Sequence, residues 1–199
     1  MTRFYLSTNS SLDATDTLVG GRSTAGLAPT ETSSASTTLT IPVGTASGTY
    51  YVIVKSDADG AVTETSETNN TFVRSVRIGP DLSVASLTAS ATTVAAGAAV
   101  TVTDKTANDG GGAAAASVTR FYLSVNALLD AADVVLAAGR GVPAVAAATS
   151  STGSTPVTIP AGTAAGRYYI LAKADGDGVV AEMSETDNVL SRSIQVTAP

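Results

Sequence analysis

Six oxygen-bearing side chains crowd one short stretch of this chain: Asp57, Asp59, Glu64, Glu67, Asn69 and Asn70, within DADGAVTETSETNN. The pattern returns as Asp175, Asp177, Glu182, Glu185, Asp187 and Asn188, within DGDGVVAEMSETDN. A hard cation such as calcium takes about six to eight oxygens at roughly 2.3–2.6 Å. An Asp-x-Asp-Gly followed closely by further acids could supply most of them, so both stretches are candidate calcium sites. Their spacing is not that of an EF-hand. The same residues suit a second role, in which Glu67 and Asn70 bond backbone groups, fix the loop and leave the other acids solvated. Both readings stand at this point. A smaller cluster, Asn9, Asp13 and Asp16, matched by Asn126, Asp130 and Asp133, has the composition of a turn.

Other chemistry is restricted. The chain has no histidine, cysteine or tryptophan, so imidazole bases, thiolate nucleophiles, zinc clusters and disulfides are excluded. Carboxylate-pair chemistry of the glycosidase kind is the one catalytic class left open. Acids outnumber bases, 17 Asp+Glu against 11 Lys+Arg, for a net charge of -6. Such a chain is a poor polyanion binder, so neither nucleic acid nor an anionic membrane is an expected partner. No run of about 18 apolar residues is present for membrane insertion. The stretch MTRFYLSTNSS lacks a basic region followed by an apolar one, so an expected secretion signal lies outside this sequence.

The acidic stretches sit in a repeat. TRFYLSTNSSLDATDTLVGGR at 2–22 matches TRFYLSVNALLDAADVVLAAGR at 119–140, and TIPVGTASGTYYVIVKSDADGAVTETSETNN at 40–70 matches TIPAGTAAGRYYILAKADGDGVVAEMSETDN at 158–188. The matched segments differ in offset by one residue, placing an insertion near Val134. The period is that of a small domain. Short β-branched and aromatic runs follow glycine in GTYYVIVKS and GRYYILAKA, while DLSVASL and AAVTVTD alternate with period two. A full period reads as seven strands, over 81–88, 99–105, 117–124, 134–140, 154–159, 167–174 and 189–196, each acidic stretch joining the last two. Seven short strands with frequent turns predict an immunoglobulin-like sandwich.

YYVIVKSDADGAVTETSETNNT, followed by a strand and IGPDL, resembles the CARDB family, cell-adhesion-related domains of bacteria and archaea; FYLSTNSSLDATDTLVG resembles an earlier segment of that family. The resemblance covers nearly the whole chain, twice. It implies tandem Ig-like β-sandwiches in extracellular or cell-surface proteins, without catalysis and with no cofactor required. The expected organisation is two tandem repeats, an incomplete one at 1–78 and a complete seven-stranded one at 79–199. The expected function is an adhesion or structural module of a stalk or filament, self-associating with neighbouring repeats or chains. The alternative is a module binding surface polysaccharide or a protein ligand, for which Tyr5, Tyr51, Tyr122 and Tyr169 would provide a stacking face.

The first copy has no counterpart of Leu82, Val84, Leu87, Val94, Val100 or Val102, which belong to the first two strands of the period. At roughly 1.5–3 kcal/mol per buried apolar side chain, the loss matches the whole stability of a domain, about 5–15 kcal/mol. Residues 1–78 are therefore not expected to close a sandwich alone; the expected explanations are that the sequence is a piece of a longer array, that strands of another chain fill the gap, or that the five later strands repack. Arg74 and Arg192 fall on the apolar parity of the last strand, which predicts a bulge turning them outward or a half-buried ion pair.

Overall fold

A computed structural model describes residues 1–136 and 139–199. It holds two compact units, Met1–Ile78 and Gly79–Pro199. No helix among the described residues is long and apolar enough to cross a membrane.

Unit 1 is one antiparallel sheet of four strands, β1 (Thr2–Ser7), β2 (Thr17–Arg22), β3 (Gly48–Lys55) and β4 (Thr71–Ile78), in the order β2-β1-β3-β4. Unit 2 contains β5 (Leu82–Ala89), β6 (Thr93–Ala95), β7 (Ala99–Asn108), β8 (Ser117–Ser124), β9 (Val134–Val142), β10 (Thr149–Thr158), β11 (Gly166–Lys173) and β12 (Val189–Thr197). They form two sheets, β10-β7-β5 and β6-β12-β11-β8-β9. The sheets enclose a core that includes Leu82, Val102, Phe121, Leu136, Val157, Ile170 and Val196. Alternation explains it: on β8, Phe121 and Leu123 point inward, and on β7 Val100 and Val102 meet them from the facing sheet. The chain is thus all-β, with two tandem Ig-like repeats, the first lacking its two N-terminal strands.

Three expectations need correction. The short strand β6 is additional: Thr93–Ala95 pairs in parallel with β12. Strand β10 starts earlier than expected, because TSSTG pairs in register with β7. Unit 1 keeps four strands rather than five. The segment 31–40, which matches β10, is irregular. In unit 2, β10 lies at a sheet edge with β7 as its ladder partner, and unit 1 has no β7-like strand. A strand without a neighbour has no ladder to join.

The four-stranded sheet of unit 1 repeats β9-β8-β11-β12 of unit 2, down to a register shift after Phe4 and a similar one after Arg120. What differs is the covering layer. Leu136, next after the Tyr122–Val135 pair, is 2 % exposed, while Val19, next after the matching Tyr5–Leu18 pair, is only partly buried. Phe121 is fully buried, while Phe4 is only partly so.

Glycine is required where β7 turns toward β8. A Cβ on Gly110 would collide with the backbone of Gly79 and Pro80, so the DGGG turn can lie directly against the start of the repeat.

Candidate functional site: acidic loops and a buried ion pair

Each acidic stretch begins with a tight turn. Asp57 and Asp175 both take positive φ, 39° and 41°, a region that aspartate tolerates better than most residues. The Asp57 carboxylate accepts the backbone N–H groups of Ala61 (3.1 Å) and Val62 (2.9 Å). The bond from Val62 is the main reason that its carboxyl lies below the usual carboxylate range. Asp175, buried, accepts the N–H of Val180 at 2.8 Å through Oδ2. Asp59 and Asp177 bridge to the adjacent strand: Arg3 meets Asp59 at 2.6 Å, and Arg120 meets Asp177 through two bonds of 2.9 and 3.1 Å. The hydrogen bond from Arg120 lowers the Asp177 carboxyl.

The second half of the loop differs between the units. In unit 2 it grips the start of the repeat. Glu182 Oε2 accepts the N–H of Leu82 at 2.5 Å, Ser184 N–H donates to Asp81 Oδ1 (3.1 Å), and Met183 N–H donates to Pro80 O (2.9 Å). The Asn188 amide, turned so that its NH2 faces acceptors, donates to Leu82 O (2.7 Å) and Asp187 Oδ1 (3.2 Å). Glu185 accepts the Glu182 N–H (3.4 Å); Glu185 and Asp187 are otherwise on the exposed side of the loop. In unit 1 the equivalent groups meet each other. Asn70 donates to Glu64 Oε2 (2.6 Å) and Glu67 Oε2 (3.4 Å), Glu67 also accepts the Glu64 N–H (3.1 Å), and Asn69 is exposed. Among the described residues no group of three or more His, Cys, Asp or Glu is placed to hold a metal ion. Asn9, Asp13 and Asp16 close a turn, as do Asn126, Asp130 and Asp133: Asp13 accepts the Thr15 N–H, and Asp130 that of Ala132, both at 2.8 Å.

Burial pushes the Glu182 carboxyl up to about 7, helped by the neighbouring Glu185, Asp175 and Asp81 carboxylates and opposed by the bond from Leu82. The folded state therefore holds a proton that the unfolded chain has released across the window from the ordinary glutamate range to about pH 7. Stability from this group is present below the window and is lost as pH rises through it. With a discount for solvent at the loop rim, unit 2 is expected to be about 1–2 kcal/mol less stable at pH 8 than at pH 5 on this account. Urea unfolding at both pH values checks this, and Glu182→Gln should flatten the difference.

A second polar feature escaped the sequence reading. Arg140 of β9 and Asp104 of β7 form a buried, two-pronged ion pair between the sheets, with Nε at 2.7 Å from Oδ1 and Nη2 at 2.5 Å from Oδ2. Thr106, Thr119 and Ser151 complete it: Arg140 donates to Thr106 Oγ1 (3.0 Å) and Ser151 Oγ (3.1 Å), and the two threonine hydroxyls lie 2.9 Å apart. The available signal was the arginine ending AAGR and the aspartate interrupting AAVTVTDKT.

The tyrosines cover the outer sheet face. Tyr5 stands across from Ile53 and Tyr122 across from Leu171, both of which are fully buried. Arg167 lies over the Tyr169 ring at 5.4 Å. Arg74 and Arg192 are exposed, and their strands pair regularly with β3 and β11, so the expected bulge is absent.

The CARDB family model matches residues 2–74 and again residues 79–192. The chain belongs to the CARDB family. CARDB domains are non-enzymatic, surface-associated modules of adhesion type. Among solved structures, the chain is similar to the CARDB domain of a Pyrococcus furiosus protein in complex with di-metal ions (19% identity, 61% of this chain, 96% of that chain, TM-score 0.46). It is also similar to a domain of a Methanosarcina acetivorans protein provisionally named a cell surface protein (18% identity, 60% and 94%, TM-score 0.45). A β-glucosidase of Thermotoga neapolitana matches over 61% of this chain but 16% of its own (13% identity, TM-score 0.41). No curated protein matches the chain.

Proposed function

We propose that this CARDB pair is a non-catalytic, load-bearing segment of an extracellular stalk or filament. The observation that carries the reading is the way the ends of unit 2 are joined. The chain enters unit 2 at Gly79–Leu82, held by the loop that precedes β12, and leaves at the far end of β12. Strands β6 and β12 run parallel, with Gln195↔Thr93, Val196↔Val94 and Thr197↔Ala95 in register. Tension between the ends draws these strands in opposite directions along their length. It loads the bonds from Gln195 N–H to Thr92 O (2.7 Å) and from Ala96 N–H to Thr197 O (3.0 Å) together, in shear.

The chemically suggestive residues support the same reading. Asp57 and Asp175 hold turns, Glu182 and Asn188 hold the entry strand, and Arg140 with Asp104 ties the two sheets. The reading is tested by single-molecule pulling of the full chain between its ends. Unit 2 is expected to unfold in one step that releases roughly 40 nm of chain at about 3.6 Å per residue. Gradual extension without a force peak would count against it.

A further inference from the structure

We propose that each unit carries, at the same place in its sheet, a pocket for one ring of a neutral sugar, and that the unit 2 pocket selects a ring bearing a methyl group. The inference goes beyond the load-bearing reading and does not rest on it.

In unit 2 the pocket lies where the loop from β8 to β9 faces the turn before β11. In unit 1 it lies where the loop from β1 to β2 faces the turn before β3. The cavities measure about 420 Å³ and 390 Å³, toward the low end of the range for small-molecule sites, roughly 300–1,000 Å³. Asp133, Thr163 and Tyr168 line the first, and Asp16, Thr45 and Tyr50 line the second at matching positions. Local bonds hold both in one shape. Thr163 donates its N–H (3.0 Å) and hydroxyl (2.7 Å) to Pro160 O, as Thr45 does to Pro42 O (3.2 and 2.7 Å). Asp133 Oδ2 accepts the Asp130 N–H, and Asp16 Oδ2 the Asp13 N–H, each at 2.9 Å. The tyrosines lie back along their strands: a Cβ on Gly166 would meet Tyr168 Cε2, and one on Gly48 would meet Tyr50 Cε2, each at 3.6 Å. Walls fixed before a ligand arrives lose little entropy on binding it.

The groups left free name the ligand. Among the described residues nothing bonds Oδ1 of Asp133 or Asp16, or the hydroxyl of Tyr168 or Tyr50. An aromatic ring beside a carboxylate oxygen suits a sugar, whose C–H groups pack on the ring while its hydroxyls donate to the oxygen. Charge and geometry disfavour the alternatives. The carboxylate in each pocket and the net charge of -6 repel an anion. A guanidinium favours both oxygens of a carboxylate, and here Oδ2 is already engaged.

The rims separate the two pockets. Thr8 and Thr17 of unit 1 are replaced by Val125 and Val134 in unit 2. Threonine and valine are alike in shape, so the exchange removes hydroxyls with little change of form. Val125 and Val134 are 72 % and 49 % exposed, and apolar side chains gathered at a pocket mark a binding surface. They suit the methyl group of a 6-deoxyhexose or an N-acetylhexosamine, and the threonines suit the hydroxylated parent.

The test screens the labelled full chain on an array of neutral oligosaccharides, with uronic-acid and amino-sugar glycans as controls. The sugar retained most strongly is then titrated in its methyl-bearing and hydroxylated forms, followed by NMR of the isotope-labelled chain. The amides of Gly162 and Thr163 report on the unit 2 pocket, and those of Gly44 and Thr45 on the unit 1 pocket. Neutral glycans should be retained, and unit 2 should bind the methyl-bearing form ~10-fold more tightly than its parent. Tyr168→Ala should weaken binding at unit 2 at least ~5-fold. Val125→Thr combined with Val134→Thr should erase the preference for methyl; both side chains are exposed, so this variant leaves the core untouched. Retention of no neutral glycan overturns the proposal. So does binding that shifts other amides, that survives these variants unchanged, or that is confined to charged sugars. Equal affinity of unit 2 for the two forms overturns the selection for methyl. A chain that ignores every sugar yet unfolds at high force loses this inference and keeps the load-bearing reading.

Discussion

Replacing Asp104 by alanine is expected to destabilise unit 2 by about 3–5 kcal/mol, the cost of leaving a buried charge without its partner. Arg140 is nearly enclosed and loses both carboxylate bonds at once, retaining only Thr106 and Ser151. Those neutral groups accept hydrogen bonds but supply no countercharge. The complementary change, Arg140→Met, should be comparably damaging, because Asp104 is fully buried. The double replacement Asp104→Leu with Arg140→Met should cost less than either single change, since well-packed apolar residues often substitute for a buried pair at little net loss. Urea unfolding followed by circular dichroism measures all three. A single-variant loss under about 1 kcal/mol, the range of an exposed pair, would show that the ion pair is solvated.

Truncating the same phenylalanine in the two repeats should have unequal effects. Phe121→Ala should cost about 3–5 kcal/mol, the range for an aromatic in a closed core. Phe121 is fully buried between the two sheets. Phe4 occupies the matching place on β1, at the same register shift, but no second sheet covers it within unit 1. Less apolar area leaves water there on folding and no enclosed cavity is created, so Phe4→Ala should cost under about 2 kcal/mol. Comparison of the variants by residue-resolved hydrogen exchange separates the units. Equal losses would mean that Phe4 is as enclosed as Phe121.

The repeat, the strand alternation and the family were legible in the residues, because exposure on one face and burial on the other imprint a period of two. Elements held by distant partners left a weaker signal. Strand β6 is three residues long and pairs in parallel with a segment about a hundred residues later, so no local pattern announces it. The serine-rich start of β10 carries no apolar alternation, and it is a strand because β7 lies alongside. The corresponding residues 31–40 show the reverse: similar composition without the neighbour gives no strand.

The candidate site was legible as a place rather than as an arrangement. Glu182 and Asn188 stood out by composition, yet what they hold is the backbone of Leu82, which has no side-chain signature. Arg140 and Asp104 lie on different sheets, so periodicity along either strand could not pair them. For Arg74 and Arg192, parity placed the residues on the right strand face, but the expected bulge is missing and both side chains are exposed on regular ladders.

The load-bearing reading is tested most directly by pulling two variants of the full chain. Ala96→Pro deletes the N–H that bonds Thr197 O, one of the bonds between β6 and β12. Val145→Ala removes buried volume from the core without touching that ladder. Solution unfolding gives the equilibrium cost of each, about 1–3 kcal/mol. The account predicts that Ala96→Pro lowers the unfolding force of unit 2 well beyond what its equilibrium cost brings in Val145→Ala. Equal forces at equal equilibrium cost would contradict it, because resistance would then follow overall stability and not the sheared pair of strands.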